Sequence, residues 1–72
     1  MAKEGVLKVI GNRIHDYLRE NGITQISVAR KTGIKKLAIS NIANEKRKIT
    51  AEEYYRICKV LNLPLEYFFH QH

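Results

Sequence analysis

The side chains best placed to do chemistry in this chain are cations, and where they fall matters more than how many there are. Arg30, Lys31, Lys35, Lys36, Lys46, Arg47 and Lys48 lie in one short stretch with a single acid, Glu45, among them. That stretch carries the whole formal net charge of +6, and the rest of the chain sums to zero. A generic soluble surface mixes its signs throughout, so a segregated field of this kind points to a polyanionic partner. Each Lys or Arg set on a phosphate releases counterions, which supplies sequence-independent affinity that falls steeply with salt. Other chemistries lack their parts. Of the three histidines, His70 and His72 sit together at the carboxyl end and His15 lies far along the chain; a zinc site needs three or four converging ligands. Cys58 is the only cysteine, which excludes an internal disulfide and a multi-thiolate metal site and fits a reducing compartment. Asp16 and Glu20 are one helical turn apart with no partner that suggests acid–base work, and there is no Gly-rich phosphate loop. No enzymatic activity, metal or cofactor is expected.

The elements that must position these cations run from Thr24 to Ile42, TQISVARKTGIKKLAISNI. Read as helix, turn and helix, this stretch puts small Ala29 where two short helices cross closely. Gly33 falls at the turn, where the backbone needs a positive φ that only Gly adopts without a Cβ penalty. Val28, Thr32 and Ile34, with Ile39 and Ile42, form the seam between the two helices. Lys35, Lys36, Leu37, Ala38, Ser40 and Asn41 are left pointing outward.

The remaining chain supports an all-α reading. At 72 residues it makes one domain with a modest core, and 44% hydrophobic with 28% charged residues is ordinary for a folded chain. Residues 1–5 are expected to be flexible, with Met1 to Glu4 fraying. From Val6, the apolar positions Ile10, Ile14, Tyr17 and Leu18 have helical spacing and stop at Asn21-Gly22. Gly11 weakens the early part of this first helix, so its ordered portion is expected to begin nearer Asn12. Thr24 caps the second helix, Gln25 to Lys31 or Thr32, and the third runs from Lys35 to about Asn44. In the basic loop that follows, Asn44 is the residue best able to take a positive φ. Thr50-x-x-Glu53 is a capping box that opens the fourth helix, on which Tyr54, Ile57, Cys58 and Leu61 share a face. Pro64 fits the first turn of a short fifth helix, Leu65 to Phe69. Cys58 reads as a buried, inert small side chain. No segment alternates with period two, and no apolar run approaches a membrane span or a signal peptide. Tyr54 and Phe68 are assigned to the core. At least one of Tyr55, Tyr67 and Phe69 must be exposed, forming a surface suited to a dimer.

From Gly11 to Phe69 the chain resembles the lambda-repressor and Cro-type helix-turn-helix family, also called the XRE family. The matching residues are Arg13-Ile14, Ile23-Thr24-Gln25, Val28-Ala29, Gly33-Ile34, Ile39, Ile42 and the closing ICKVLNLPLEYFF. The resemblance implies a compact five-helix domain that binds double-stranded operator DNA, usually as a homodimer on a near-palindromic site. It implies that Gln25 holds a phosphate and braces the third helix, that Lys36, Leu37 and Asn41 reach base edges, that Lys35 touches DNA, and that Lys46 and Arg47 grip phosphates. Arg13, Lys48 and Thr24 complete the candidate phosphate set, and Ala38 and Ser40 the candidate base-reading set. Lys36 can donate to guanine O6 and N7, Asn41 can pair with adenine N6 and N7, and Leu37 and Ala38 can meet a thymine methyl. Three positions depart from the family pattern. Lys35 replaces the usual Ser or Thr cap. Glu45 replaces the usual Gly after the third helix, so the loop must turn at Asn44 or with strain. Leu18 and Ala43 stand where the family pairs Arg with Glu, which predicts a dry contact between the first and third helices. The expected role is a transcriptional regulator of prokaryotic or phage type acting in the cytoplasm at the nucleoid. The rival is a protein-interaction module on the same fold, such as an antitoxin or anchor, working through its aromatic carboxyl end.

Overall fold

The stripe at Ile10, Ile14 and Leu18 builds α1 (Ala2–Glu20) in the computed structural model, which describes residues 2–69, with side chains from Val9 onward. Helix α1 is helical from Ala2, so the expected start near Asn12 is corrected; Met1 lies outside the described residues. Gly11 is buried where α1 crosses the third helix. A Cβ built on it would stand 2.1 Å from the carbonyl oxygen of Ile42 and 3.0 Å from the carbonyl carbon, so only Gly permits this approach. What reads locally as a weak helical residue is the contact point of the fold.

The chain continues through α2 (Gln25–Thr32), α3 (Lys36–Ala43) and α4 (Ala51–Leu61), then ends in a 3-10 turn at Tyr67–Phe69. Among the described residues there are four α-helices and no strand. The expected fifth helix is corrected to this short turn, closed by bonds from Tyr67 N–H to the Pro64 carbonyl (3.0 Å) and from Phe69 N–H to the Glu66 carbonyl (3.1 Å). Three residues after a proline are too few for a propagating helix.

Three of the helices stop in the same way. After α1, α3 and α4 the chain turns through a left-handed residue, Gly22 (φ 67°), Glu45 (φ 61°) and Asn62 (φ 60°). In each case the next amide bonds back five residues: Ile23 to Leu18 (2.8 Å), Lys46 to Asn41 (2.8 Å) and Leu63 to Cys58 (2.9 Å). This is the Schellman closure, for which Gly is best suited and Asn next. Glu45 is neither. The loop after α3 therefore turns at Glu45 with strain, and Asn44 stays at φ −92°. Gly33 closes α2 at φ 81°, with its N–H on the Ala29 carbonyl (2.9 Å), as its position in the sequence requires.

The core gathers Ile10, Ile14 and Leu18 of α1, Val28 of α2, Ile39 and Ile42 of α3, Ile57 and Cys58 of α4, and Phe68. Leu18 and Ala43 are both buried, consistent with an apolar contact where the family places charges. Burial of Cys58 pushes its thiol pKa up. Phe68 is fully buried and meets Tyr17 and Tyr54 edge-on, at centroid distances of 5.7 and 6.3 Å. The Tyr54 hydroxyl donates to the Leu65 carbonyl, and Arg13 Nη1 donates to the Phe68 carbonyl at 2.6 Å. These bonds tie the last described turn to α1 and α4.

Candidate nucleic-acid interface

The cap on α2 sets the first part of the surface. Thr24 accepts the Ser27 N–H at 3.0 Å through its side chain, which fixes the start of α2 and keeps the hydroxyl proton free to donate outward. Gln25, the first helical residue, is half-buried beside it. At the other end of α2, the Thr32 hydroxyl donates to the Val28 carbonyl (2.7 Å) and accepts from Ile34 N–H (3.1 Å). These bonds hold the turn that leads into α3. Arg56 of α4 steadies the same turn, donating to the Thr32 carbonyl at 3.3 Å and to Glu52 at 2.7 Å.

Lys35 precedes α3 as its N-cap, with capping backbone angles but no capping side-chain bond. Lys35, Lys36 and Leu37 are exposed, Leu37 at 72%. The rest of the expected outward face is less open. Ala38 is half-buried against the core and borders a recess of about 350 Å³ with Glu52, Glu53 and Arg56. Ser40 and Asn41 are half-buried; the Ser40 hydroxyl accepts from Asn44 at 3.5 Å, and the Asn41 carbonyl takes the Lys46 N–H.

The structure separates the candidate phosphate ligands. Lys46 is exposed on the loop after α3, and Lys48 is exposed two residues on. Arg47 is turned away. Its Nη1 and Nη2 meet the two Glu53 oxygens at 3.1 and 2.6 Å, and Nη1 also donates to the Lys48 carbonyl at 2.8 Å. The bond from Arg47 is the main reason the Glu53 carboxyl is held below the usual carboxylate range; burial opposes it and Thr50 adds to it. Arg13 is likewise engaged, on the Phe68 carbonyl. Sequence reasoning missed both attachments. The Arg13 contact joins residues 55 apart, and no local pattern announces it. Glu53 did carry a signal, since a capping-box carboxylate has a second oxygen to offer a nearby cation.

Among the described residues no group of three or more His, Cys, Asp and Glu could hold a metal, and no helix is long and apolar enough to cross a membrane. The His70 and His72 pair lies outside the described residues.

Two short helices locked across Gly33, the second presenting its first turn within the one basic stretch of the chain, define a DNA-binding helix-turn-helix domain. A family described as helix-turn-helix matches residues 14–68, and the chain belongs to it, in the XRE branch typified by lambda repressor and Cro. That family is defined by DNA binding, not by an enzymatic reaction. Comparison with curated proteins and with solved structures finds no match.

Proposed function

We propose that this protein is a sequence-specific transcriptional regulator of prokaryotic or phage type, acting as a repressor by occupying its operator in the cytoplasm as a homodimer, with α3 in the major groove. The observation that carries the reading is the exposure of Lys35, Lys36 and Leu37 at the start of α3, inside the segment that holds the entire net charge. Lys36 reads guanine, Leu37 packs on a thymine methyl, and Asn41 turns to adenine, while Ala38 and Ser40 line the edge of the contact. Thr24, Gln25, Lys46 and Lys48 hold phosphates. Arg13 and Arg47 are left out of that set because the guanidinium of Arg13 is bonded to the Phe68 carbonyl and that of Arg47 holds both oxygens of Glu53.

The homodimer joins through an apolar groove of about 450 Å³ between α1, α4 and the terminal turn, where Tyr55, Leu65 and Phe69 are exposed around Ile10, Ile49 and Tyr54. The same groove favours a second reading, a protein-interaction module that uses it for a different partner.

Selection from a pool of randomised duplexes at near-physiological salt tests the proposal. A near-palindrome with half-sites about one helical turn apart is the expected product. Lys36→Ala combined with Asn41→Ala should abolish the preference, at about 1–3 kcal/mol per lost bidentate contact, and leave the melting curve unchanged. No enriched sequence from the unaltered protein, or an unchanged preference in the double variant, would overturn the assignment.

A further inference from the structure

Glu53 does two jobs with one carboxylate. Its Oε1 accepts the Thr50 N–H at 3.0 Å, completing the box that opens α4, and both its oxygens hold the guanidinium of Arg47. Arg47 lies in the loop that leaves α3 through the strained residue Glu45. Two parallel N–H to oxygen bonds fix orientation as well as distance, so the loop is tied to α4 at a defined angle. The pair is partly shielded, with the Glu53 side chain 18% exposed and that of Arg47 37%. Moving Arg47 onto a DNA phosphate would exchange one anion for another. It would also leave the Glu53 carboxylate without its cation beside a polyanion, a penalty that a free surface cation such as Lys46 does not incur.

We propose that Glu53 is a positioning residue for DNA binding: by holding the Arg47 guanidinium it withdraws that cation from the phosphate contacts, which fall to Lys46 instead. The assignment rests on the DNA-binding reading above. It predicts that one of the two cations at the centre of the basic loop contributes nothing to the electrostatic grip while Glu53 is ionised.

The test is the salt dependence of binding to a mixed-sequence duplex of about 20 base pairs, in which each phosphate contact adds about 0.9 to the slope of log K against log salt. Lys46→Ala should lower the slope by about 0.9, equal to about 3.5-fold in affinity over a fourfold range of salt. Arg47→Ala should leave the slope unchanged in the otherwise unaltered protein. On a Glu53→Gln background, Arg47→Ala should lower it by about 0.9, because the neutral amide keeps the helix cap through its oxygen but removes the charge and the second acceptor that hold the guanidinium against phosphate. Equal effects of Arg47→Ala on both backgrounds, whether near 0.9 or near zero, overturn the proposal. Absence of any salt-dependent binding by the unaltered protein, by contrast, overturns the DNA-binding reading itself, and this assignment falls with it.

Discussion

Replacing Gly11 with Ala sets two effects of opposite sign against each other. In an exposed helix interior the change would stabilise the chain by about 1 kcal/mol, since Ala is the better helix former. Here the new methyl would sit 2.1 Å from the Ile42 carbonyl oxygen and 3.1 Å from its Cγ2. The first of these contacts is more than roughly 1 Å inside van der Waals distance. The closest atom belongs to the α3 backbone, so no rotamer change relieves the clash and the two helices must separate. Overpacking of this kind costs about 1–3 kcal/mol, and more where the backbone has to move. Setting about 3 kcal/mol of clash against about 1 kcal/mol of helix gain leaves a net loss of about 2 kcal/mol, or roughly 8–16 °C in Tm for a domain of this size. Thermal unfolding followed by circular dichroism at 222 nm measures it directly. A Tm equal to or above that of the unaltered protein would refute the close-approach argument and return Gly11 to the status of a plain helix weakener.

Further outcomes follow from the loop, the buried thiol and the ion pair. Glu45→Gly removes a side chain from a φ of 61° and should raise stability by about 1 kcal/mol, seen as a rise of roughly 4–8 °C in Tm; no gain would mean the left-handed turn is not strained. Cys58 is fully buried, so labelling by a thiol reagent should occur only through opening of the fold and should accelerate with urea; rapid labelling in native buffer would contradict its burial. Glu53 has a folded pKa below its unfolded value. Its contribution is therefore fully present above the unfolded value of about 4.3 and is lost as pH falls through the folded one. Arg47→Ala should flatten the decline of Tm with acid below that point, and an unchanged acid limb would show that the pair does not set it.

How much of this was legible in the residues depends on the range over which each feature is decided. Thr24, Gly33, Asn21-Gly22 and the Thr50 to Glu53 box are local signals, set by a side chain that reaches a backbone group three residues away or by a glycine that turns left-handed without penalty, and the structure places all of them as expected. Gly11 could be read only as a poor helix former, because the reason for its presence is a carbonyl on another helix. At the end of α3 the choice of Asn44 over Glu45 followed intrinsic preference. The structure turns one residue later, where Lys46 N–H can reach back to the Asn41 carbonyl. The outward face of α3 was drawn from helical spacing alone. It came out narrower because Ala38 packs against the core and Ser40 faces Asn44. The cations were counted correctly as a field, but a count of charges does not say which of them are already held.

The fully buried ring of Phe68, with its carbonyl on Arg13, also sets how much of the chain the core draws on. The helix-turn-helix pair is complete by residue 43, yet the side chain that fills the space between α1 and α4 comes 25 residues later. The core as it stands can close only once residue 68 is there to enter it. A chain that stopped short of residue 68 would hold both helices of the pair and lack the ring that fills the space between α1 and α4.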